Sequence, residues 1–515
     1  MRMPAAGPWR AVVAAAGLAL VALAVTSTRA VPGLVWNDEL VYAAAGRHVA
    51  DGHGPLSSFY HPLAIAERGF PQPDVHMPGQ AFVLGAAFRL AGATDAVAVA
   101  TSRLAFLGAA AILAWAIARR FGERSALAAA ALFVLFPPDA AFAHSGMSES
   151  VFTLLTAALM ALLLDAQDRP SVARAAALGL LLGLGAFHHE TILVYVPAAA
   201  WVVWRWPAEA RWRGLLAGGA VLAACLLAAA PFYLARAPHP HVLSEFLISD
   251  ETPAERAGTI TQNVVANLRG LPVWPREAWE WNHSLQWLAV IVAVVIGARK
   301  GGGRREVAAL AALGFLGTWM VLALFYPIGE WRAVRVFMHA MPPALAVIAD
   351  ALATRAAAGW RARDALRLLA PAAVAAVAVS SLATIGRDRS AHDLFGRAYS
   401  DFLARSTAGR DVRVMVAAKA YRYGWDAYPV AIVVWDATDL KSVRLVEQAL
   451  PVDAIVVRRE ERRRFLRGLE DGAYRRAFAP APTEVFHDRY QVYLATDERP
   501  DVRASGASGR PRPPG

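Results

Sequence analysis

The chain has 515 residues, 57% of them hydrophobic and only 18% charged, with a mean hydropathy of +0.37. The apolar residues gather in blocks near the ~20 residues that a helix needs to cross a bilayer, which indicates a polytopic membrane protein and excludes a soluble globular enzyme. The net charge of +11 would suit nucleic acid, but the cationic residues cluster in short loops between apolar blocks, where they set orientation, so nucleic acid is excluded as a partner. The lone cysteine, Cys225, lies inside an apolar run, so no internal disulfide can form and stability must come from packing.

In chain order, apolar runs cover 10–31, 95–118, 125–143, 147–164, 174–188, 189–204, 214–234, 284–298, 306–327, 332–350 and 366–386. They read as about eleven transmembrane helices. The first, preceded by Arg2 and Arg10, is expected to be retained rather than cleaved near Ala30. Alternate loops are basic, at 119–124, 169–174, 205–213, 299–305 and 355–367, and belong in the cytoplasm. The opposite loops carry the histidines, so residues capable of chemistry collect on the outer face. Residues 78–91 are apolar but short for a span, and are expected as a helix at the outer interface.

These spans define a transmembrane domain at 1–387, with outer loops at 32–94 and 235–283, followed by an extracytoplasmic α/β domain at 388–498. In the latter, 412–417, 430–435 and 453–458 read as short buried strands, 439–450 as a helix and 484–496 as a hairpin, with partly parallel pairing. Residues 499–515 are mostly Pro, Gly, Ser and Arg and have too little apolar surface to fold.

Several outer-face groups could carry chemistry. Asn37 is a good N-cap, so Asp38 and Glu39 fall in the first turn of an interfacial helix, where plain compensation of the helix dipole would also explain them. Glu149 opens a later helix and could be an ordinary helix-start acid capped by Ser145 or Ser148. Arg332 and Arg335 stand where an outer loop meets an apolar helix, positioned either as interfacial anchors or to grip a phosphate whose lipid tail lies in the bilayer. His188, His189 and Glu190 form a polar hairpin tip, with His76 and His144 on the same side. They could bind a divalent metal, although their spacing matches no compact metal motif. The tryptophans Trp274, Trp279 and Trp281, beside Asp250 and Glu251, suit sugar stacking or an aromatic belt equally well. Residues 421–425 could touch an acceptor glycan or simply pack between strands, and 462–464 read as a solvated helix face.

Taken in order, Asp38-Glu39 before Tyr42 and Asp51-Gly52, His76-Met77-Pro78-Gly79 opening a short apolar helix, Glu149 at a helix start and Arg335 seven residues before Pro342 resemble the GT-C superfamily of polyprenyl-phosphate-sugar-dependent glycosyltransferases. The similarity is to bacterial relatives of the protein O-mannosyltransferases and of the lipid A aminoarabinose transferase, over roughly the first 390 residues. It implies an all-α polytopic fold with a small C-terminal α/β domain, in a bacterial inner membrane. It also implies inverting transfer of a sugar from a polyprenyl-phosphate donor to an extracytoplasmic glycan, lipid or protein. In that reading Asp38 is the base, Glu39 either orients the acceptor or helps to bind a divalent cation, Glu149 faces the same cavity as a third catalytic-site residue, and Arg335, Arg332 and His76 hold the donor phosphate. Related enzymes often carry Lys where His76 and His188 or His189 stand.

Two rival classes remain open. A transporter or flippase of lipid-linked sugars would need ionisable groups near the bilayer middle, yet the helix middles are Ala, Leu, Val and Gly. A non-catalytic envelope scaffold would keep the fold without depending on Asp38.

Overall fold

The computed structural model describes residues 8–27, 34, 37–60, 76–136, 142–236, 253–269, 278–325, 335, 337–357, 402–403, 405–406, 412–416, 425, 431–435, 440–449, 452–458, 474–478 and 490–495. The expected span at 366–386 and the tail at 499–515 lie outside them. The chain divides into two compact units, Met1–Leu34 with Gly46–Pro55 and Pro73–Ser390, and Val35–Ala45 with Leu56–Gln72 and Ala391–Gly515.

The helices of the first part of the chain are α1 (Trp9–Ser27), α2 (Asn37–Ala50), α3 (Pro78–Ala91), α4 (Asp95–Phe121), α5 (Glu123–Leu135), α6 (Glu149–Asp168) and α7 (Val172–His188). They continue as α8 (Val196–Trp204), α9 (Ala208–Arg236), α10 (Pro253–Arg269), α11 (Ala278–Lys300), α12 (Gly302–Phe325) and α13 (Met341–Ala357). Among the described residues four helices are long and apolar enough to cross a membrane: α1, α4, α6 and the Ala208–Leu234 part of α9.

Local chemistry sets where these helices stop. Thr94 and Ser171 cap α4 and α7, each accepting a backbone N–H three residues on. Gly122, with φ +96, lets the chain leave α4 and enter α5 at once. The expected run at 125–143 ends early, at Leu135, because Pro137-Pro138 follow and push the preceding Phe136 into extended backbone (ψ 117). The run at 189–204 starts instead as a 3-10 turn, Glu190–Tyr195, before α8 begins with a proline in its first turn. Likewise α13 begins only at Met341, after a 3-10 turn at Met338–Ala340, so Arg335 precedes the late helix rather than lying within it.

Small residues bring the helices close. On α1, Ala11, Ala15, Ala19 and Leu23 recur every fourth residue and are all buried, joining α4 and α5 in the main core with Phe106, Leu113, Ile117 and Phe133. A second core is built from α6, α7, the 3-10 turn and α8. Between α7 and α9 the backbones nearly touch, since a Cβ on Gly179 would overlap the Gly218 carbonyl.

The ends of α4 and α6 lie with the starts of α7 and α12, giving this unit two polar ends. One end holds an ion-pair network: Arg119 and Arg174 share Asp165 at 3.1 and 2.6 Å, and Arg120 bridges Asp168 and Glu306 at 3.2 and 2.8 Å. Beside it, Arg304 pairs with the buried Asp350, whose other oxygen accepts from Ser125 at 2.8 Å. The opposite end carries the start of α3, the start of α6 and the end of α7.

The second unit contains a six-stranded sheet of β1 (Phe59–Tyr60), β2 (Val412–Val416), β3 (Ala431–Trp435), β4 (Ala454–Arg458), β5 (Tyr474–Phe478) and β6 (Tyr490–Ala495) in the order β1-β3-β2-β4-β6-β5. The pairs β1–β3, β2–β3 and β2–β4 are parallel, while β4–β6 and β5–β6 are antiparallel. Helix α14 (Leu440–Ala449) connects β3 to β4 and buries Val443 and Val446. The three expected strands and the expected helix are present. The expected hairpin at 484–496 is corrected: β6 occupies its second half, but its partner is β5, further upstream. Arg475 and Arg476 had hidden β5 from a hydrophobic pattern, and the two-residue β1 is too short to leave one.

Candidate active site

Asp38 and Glu39 occupy the first turn of α2, as expected, with Asn37 as the first residue of the helix. Asp38 is half-buried and Glu39 is fully buried. Dipole compensation requires an acid near a helix start but does not require its burial, so the full burial of Glu39 exceeds that plain explanation. Further along α2, Gly46 lets the helix lie close against Leu84 of α3: a Cβ there would meet the Leu84 Cβ at 2.9 Å.

Glu149 and Arg335, 186 residues apart in sequence, are brought together. Arg335 Nε donates to Glu149 Oε1 in a mostly buried ion pair, with side-chain exposures of 15% and 7%. Glu149 is not capped by either serine: Ser148 makes no side-chain cap, and Ser145 Oγ donates to the Phe142 carbonyl and accepts from Met147 N. Glu149 Oε2 is buried without a hydrogen-bond partner among the described residues. A guanidinium has five N–H donors, so pairing through Nε is compatible with further contacts from the same group. Arg332 lies outside the described residues.

His76 is half-buried just before α3, which Pro78 opens. The three consecutive residues at the α7 tip diverge. His188 is buried against α3, where a Cβ on Gly79 would come within 2.7 Å of its ring. His189 turns its Nδ1 to Thr191, accepting from its backbone N–H at 3.4 Å and lying 2.9 Å from its hydroxyl. Glu190 Oε2 is 3.9 Å from that same Nδ1. Among the described residues no three His, Cys, Asp or Glu side chains are grouped as a metal ion needs. His144 links α1 to α4: Arg103 Nη2 donates to its Nδ1 at 3.1 Å, which places the ring proton on Nε2, 2.5 Å from Thr26 Oγ1. Of the residues proposed for sugar contact, 421–424, Asp250, Glu251 and Trp274 lie outside the described residues, and Trp425 is buried.

The structure adds side chains that pattern reading passed over. Gln80, 1% exposed, donates from Nε2 to the Gly146 carbonyl at 2.9 Å and so ties α3 to the loop that delivers Glu149. Ser150 and Thr153 follow on the same helix as Glu149, also buried. A glutamine in the first turn of an otherwise apolar helix, and a hydroxyl pair just after an acid, were the signals available.

Residues 74–234, from before α3 to the end of α9, match the family model described as dolichyl-phosphate-mannose-protein mannosyltransferase. No curated protein matches the chain. Among solved structures, ArnT from Cupriavidus metallidurans bound to undecaprenyl phosphate is similar with a TM-score of 0.61 at 16% identity, covering 95% of this chain and 98% of that one. The same protein in the apo state gives 0.60 at 15% identity over 94% and 97%. The Archaeoglobus fulgidus oligosaccharyltransferase in the apo form gives 0.49 at 13% identity over 88% and 69%.

Proposed function

We propose that this chain, which has the fold of the GT-C superfamily, is a membrane glycosyltransferase that moves a sugar from a polyprenyl-phosphate donor to an extracytoplasmic acceptor. The observation that carries the reading is the acid pair at the start of α2, with Glu39 fully buried, in a fold shared with a protein bound to undecaprenyl phosphate. The acceptor is an envelope glycan, lipid or protein, and the setting is a bacterial inner membrane with the 388–498 region outside the cytoplasm.

In this mechanism Asp38 accepts the proton of the acceptor hydroxyl as its oxygen attacks the anomeric carbon. The bond from that carbon to the phosphate oxygen breaks, the configuration inverts, and the polyprenyl phosphate departs with the electron pair. Glu39 orients the acceptor, while Arg335 and His76 stabilise the phosphate as charge grows on it. A divalent ion would supply additional charge at the phosphate; no step is assigned to one, because the described residues gather no ligand set for it.

The test is mass spectrometry of envelope glycans, glycolipids and glycoproteins from cells lacking the chain and complemented with wild type or Asp38→Asn at equal membrane abundance. A single sugar that is absent in the null, restored by wild type and not by Asp38→Asn is the expected result; a base contributes roughly 100- to 10,000-fold. Restoration by Asp38→Asn would remove the base and bring transport or scaffolding forward.

A further inference from the structure

We infer that the first turns of α6, with Gln80 of α3, form a subsite that accepts hydrogen bonds from sugar hydroxyls, an assignment that rests on the glycosyltransferase reading. Gln80 Oε1, Glu149 Oε2, Ser150 Oγ and Thr153 Oγ1 are all buried, and none has a hydrogen-bond partner among the described residues. Their side chains are 1%, 5%, 3% and 2% exposed. A buried polar atom left unsatisfied costs about 1–3 kcal/mol, and native structures rarely tolerate several in one place without something to fill them.

The four groups belong to one neighbourhood. Glu149 and Thr153 are four residues apart on α6 and Ser150 and Thr153 three, so all share a stretch of helix surface. Gln80 joins them through its bond to Gly146, at the foot of the same helix. Thr153 is the most telling. A buried helical threonine ordinarily turns its hydroxyl back to the carbonyl one turn earlier, as Thr156 does to Phe152 at 3.0 Å, but Thr153 does not.

Chemistry selects the ligand. An amide oxygen and a carboxylate oxygen only accept, and two hydroxyls can do either, so the set favours a neutral group that offers donors. A phosphate is disfavoured, because it would face two acceptor oxygens. A hard cation is disfavoured because Arg335 already neutralises Glu149. Sugar hydroxyls fit, and Gln80 with Thr153 then act as specificity residues.

The experiment measures binding of undecaprenyl phosphate, and of undecaprenyl-phosphate mannose, glucose and N-acetylglucosamine, to the purified full chain and to its Thr153→Val, Ser150→Ala and Gln80→Met variants. Wild type is expected to bind one sugar-bearing lipid more tightly than undecaprenyl phosphate. Each variant should lose about tenfold on that lipid alone, the loss of one buried hydrogen bond, with undecaprenyl phosphate affinity unchanged. Thr153→Val should also keep or raise the unfolding temperature, since it removes a hydroxyl that has no partner among the described residues; a lowered temperature with no change in the sugar preference would mean that buried water alone fills the site, and would overturn the subsite. Wild type that binds undecaprenyl phosphate but prefers none of the sugars also overturns it. Wild type that binds none of the four lipids takes down the glycosyltransferase reading itself.

Discussion

Two buried carboxylates in the helical unit are each paired with an arginine, yet they are finished differently. Asp350 receives Arg304 on one oxygen and Ser125 on the other, so both oxygens are satisfied. Among the described residues Glu149 receives Arg335 on Oε1, and Oε2 is left over beside further groups without partners. A buried ion pair is weak evidence for stability, because desolvation offsets much of the attraction. The number of loose ends is the better guide. A fully satisfied pair ties helices together, whereas one that leaves polar atoms without partners among the described residues is the arrangement a ligand site requires.

Glu149→Gln separates the two pairs most sharply. This change keeps the shape and an acceptor oxygen, so folding should largely survive while turnover falls about 10- to 100-fold, the loss of one hydrogen bond to a charged acceptor; a loss of folded protein equal to the loss of activity would place Glu149 with Asp350 as structural. Asp350→Asn should behave in reverse. It is expected to lower the stability of the chain by about 1–3 kcal/mol, read as an earlier unfolding temperature in detergent, with turnover per folded molecule unchanged. Reduced turnover in the folded fraction would show that the two ends are coupled. The smallest effect belongs to Arg120→Ala in the partly exposed network with Asp168 and Glu306. Such pairs contribute about 0–1 kcal/mol, and raising the salt concentration should erase the difference from wild type. A persistent large loss at high salt would mean that this network is far better shielded than its exposure suggests.

Much of the architecture was legible because its causes are local. Residues 78–91 were expected as a short helix and are one, since Pro78 fixes its start and the apolar run fixes its length. The strands β2, β3 and β4 follow from compact β-branched runs. Helix breaks were less legible: runs of apolar residues at 125–143, 189–204 and 332–350 read as continuous, but prolines and 3-10 turns divide them. For the site, Asp38, Glu39, Glu149 and Arg335 stand out as charges beside apolar blocks. Gln80, Ser150 and Thr153 do not, because polar uncharged residues in helices are common and only their missing partners set them apart.

Hydropathy and capping act over a few residues, so the order of residues already contains the long apolar helices, the sheet-forming C-terminal region and the charges that stand at helix starts. Only the folded chain shows that Glu149 meets Arg335, that His144 is held by Thr26 and Arg103, that β5 pairs with β6, and that the polar atoms of Gln80, Glu149, Ser150 and Thr153 named above lack partners among the described residues. Those are facts of long-range pairing: whether a buried donor or acceptor is satisfied depends on what packs against it from elsewhere in the chain, and no local pattern records that.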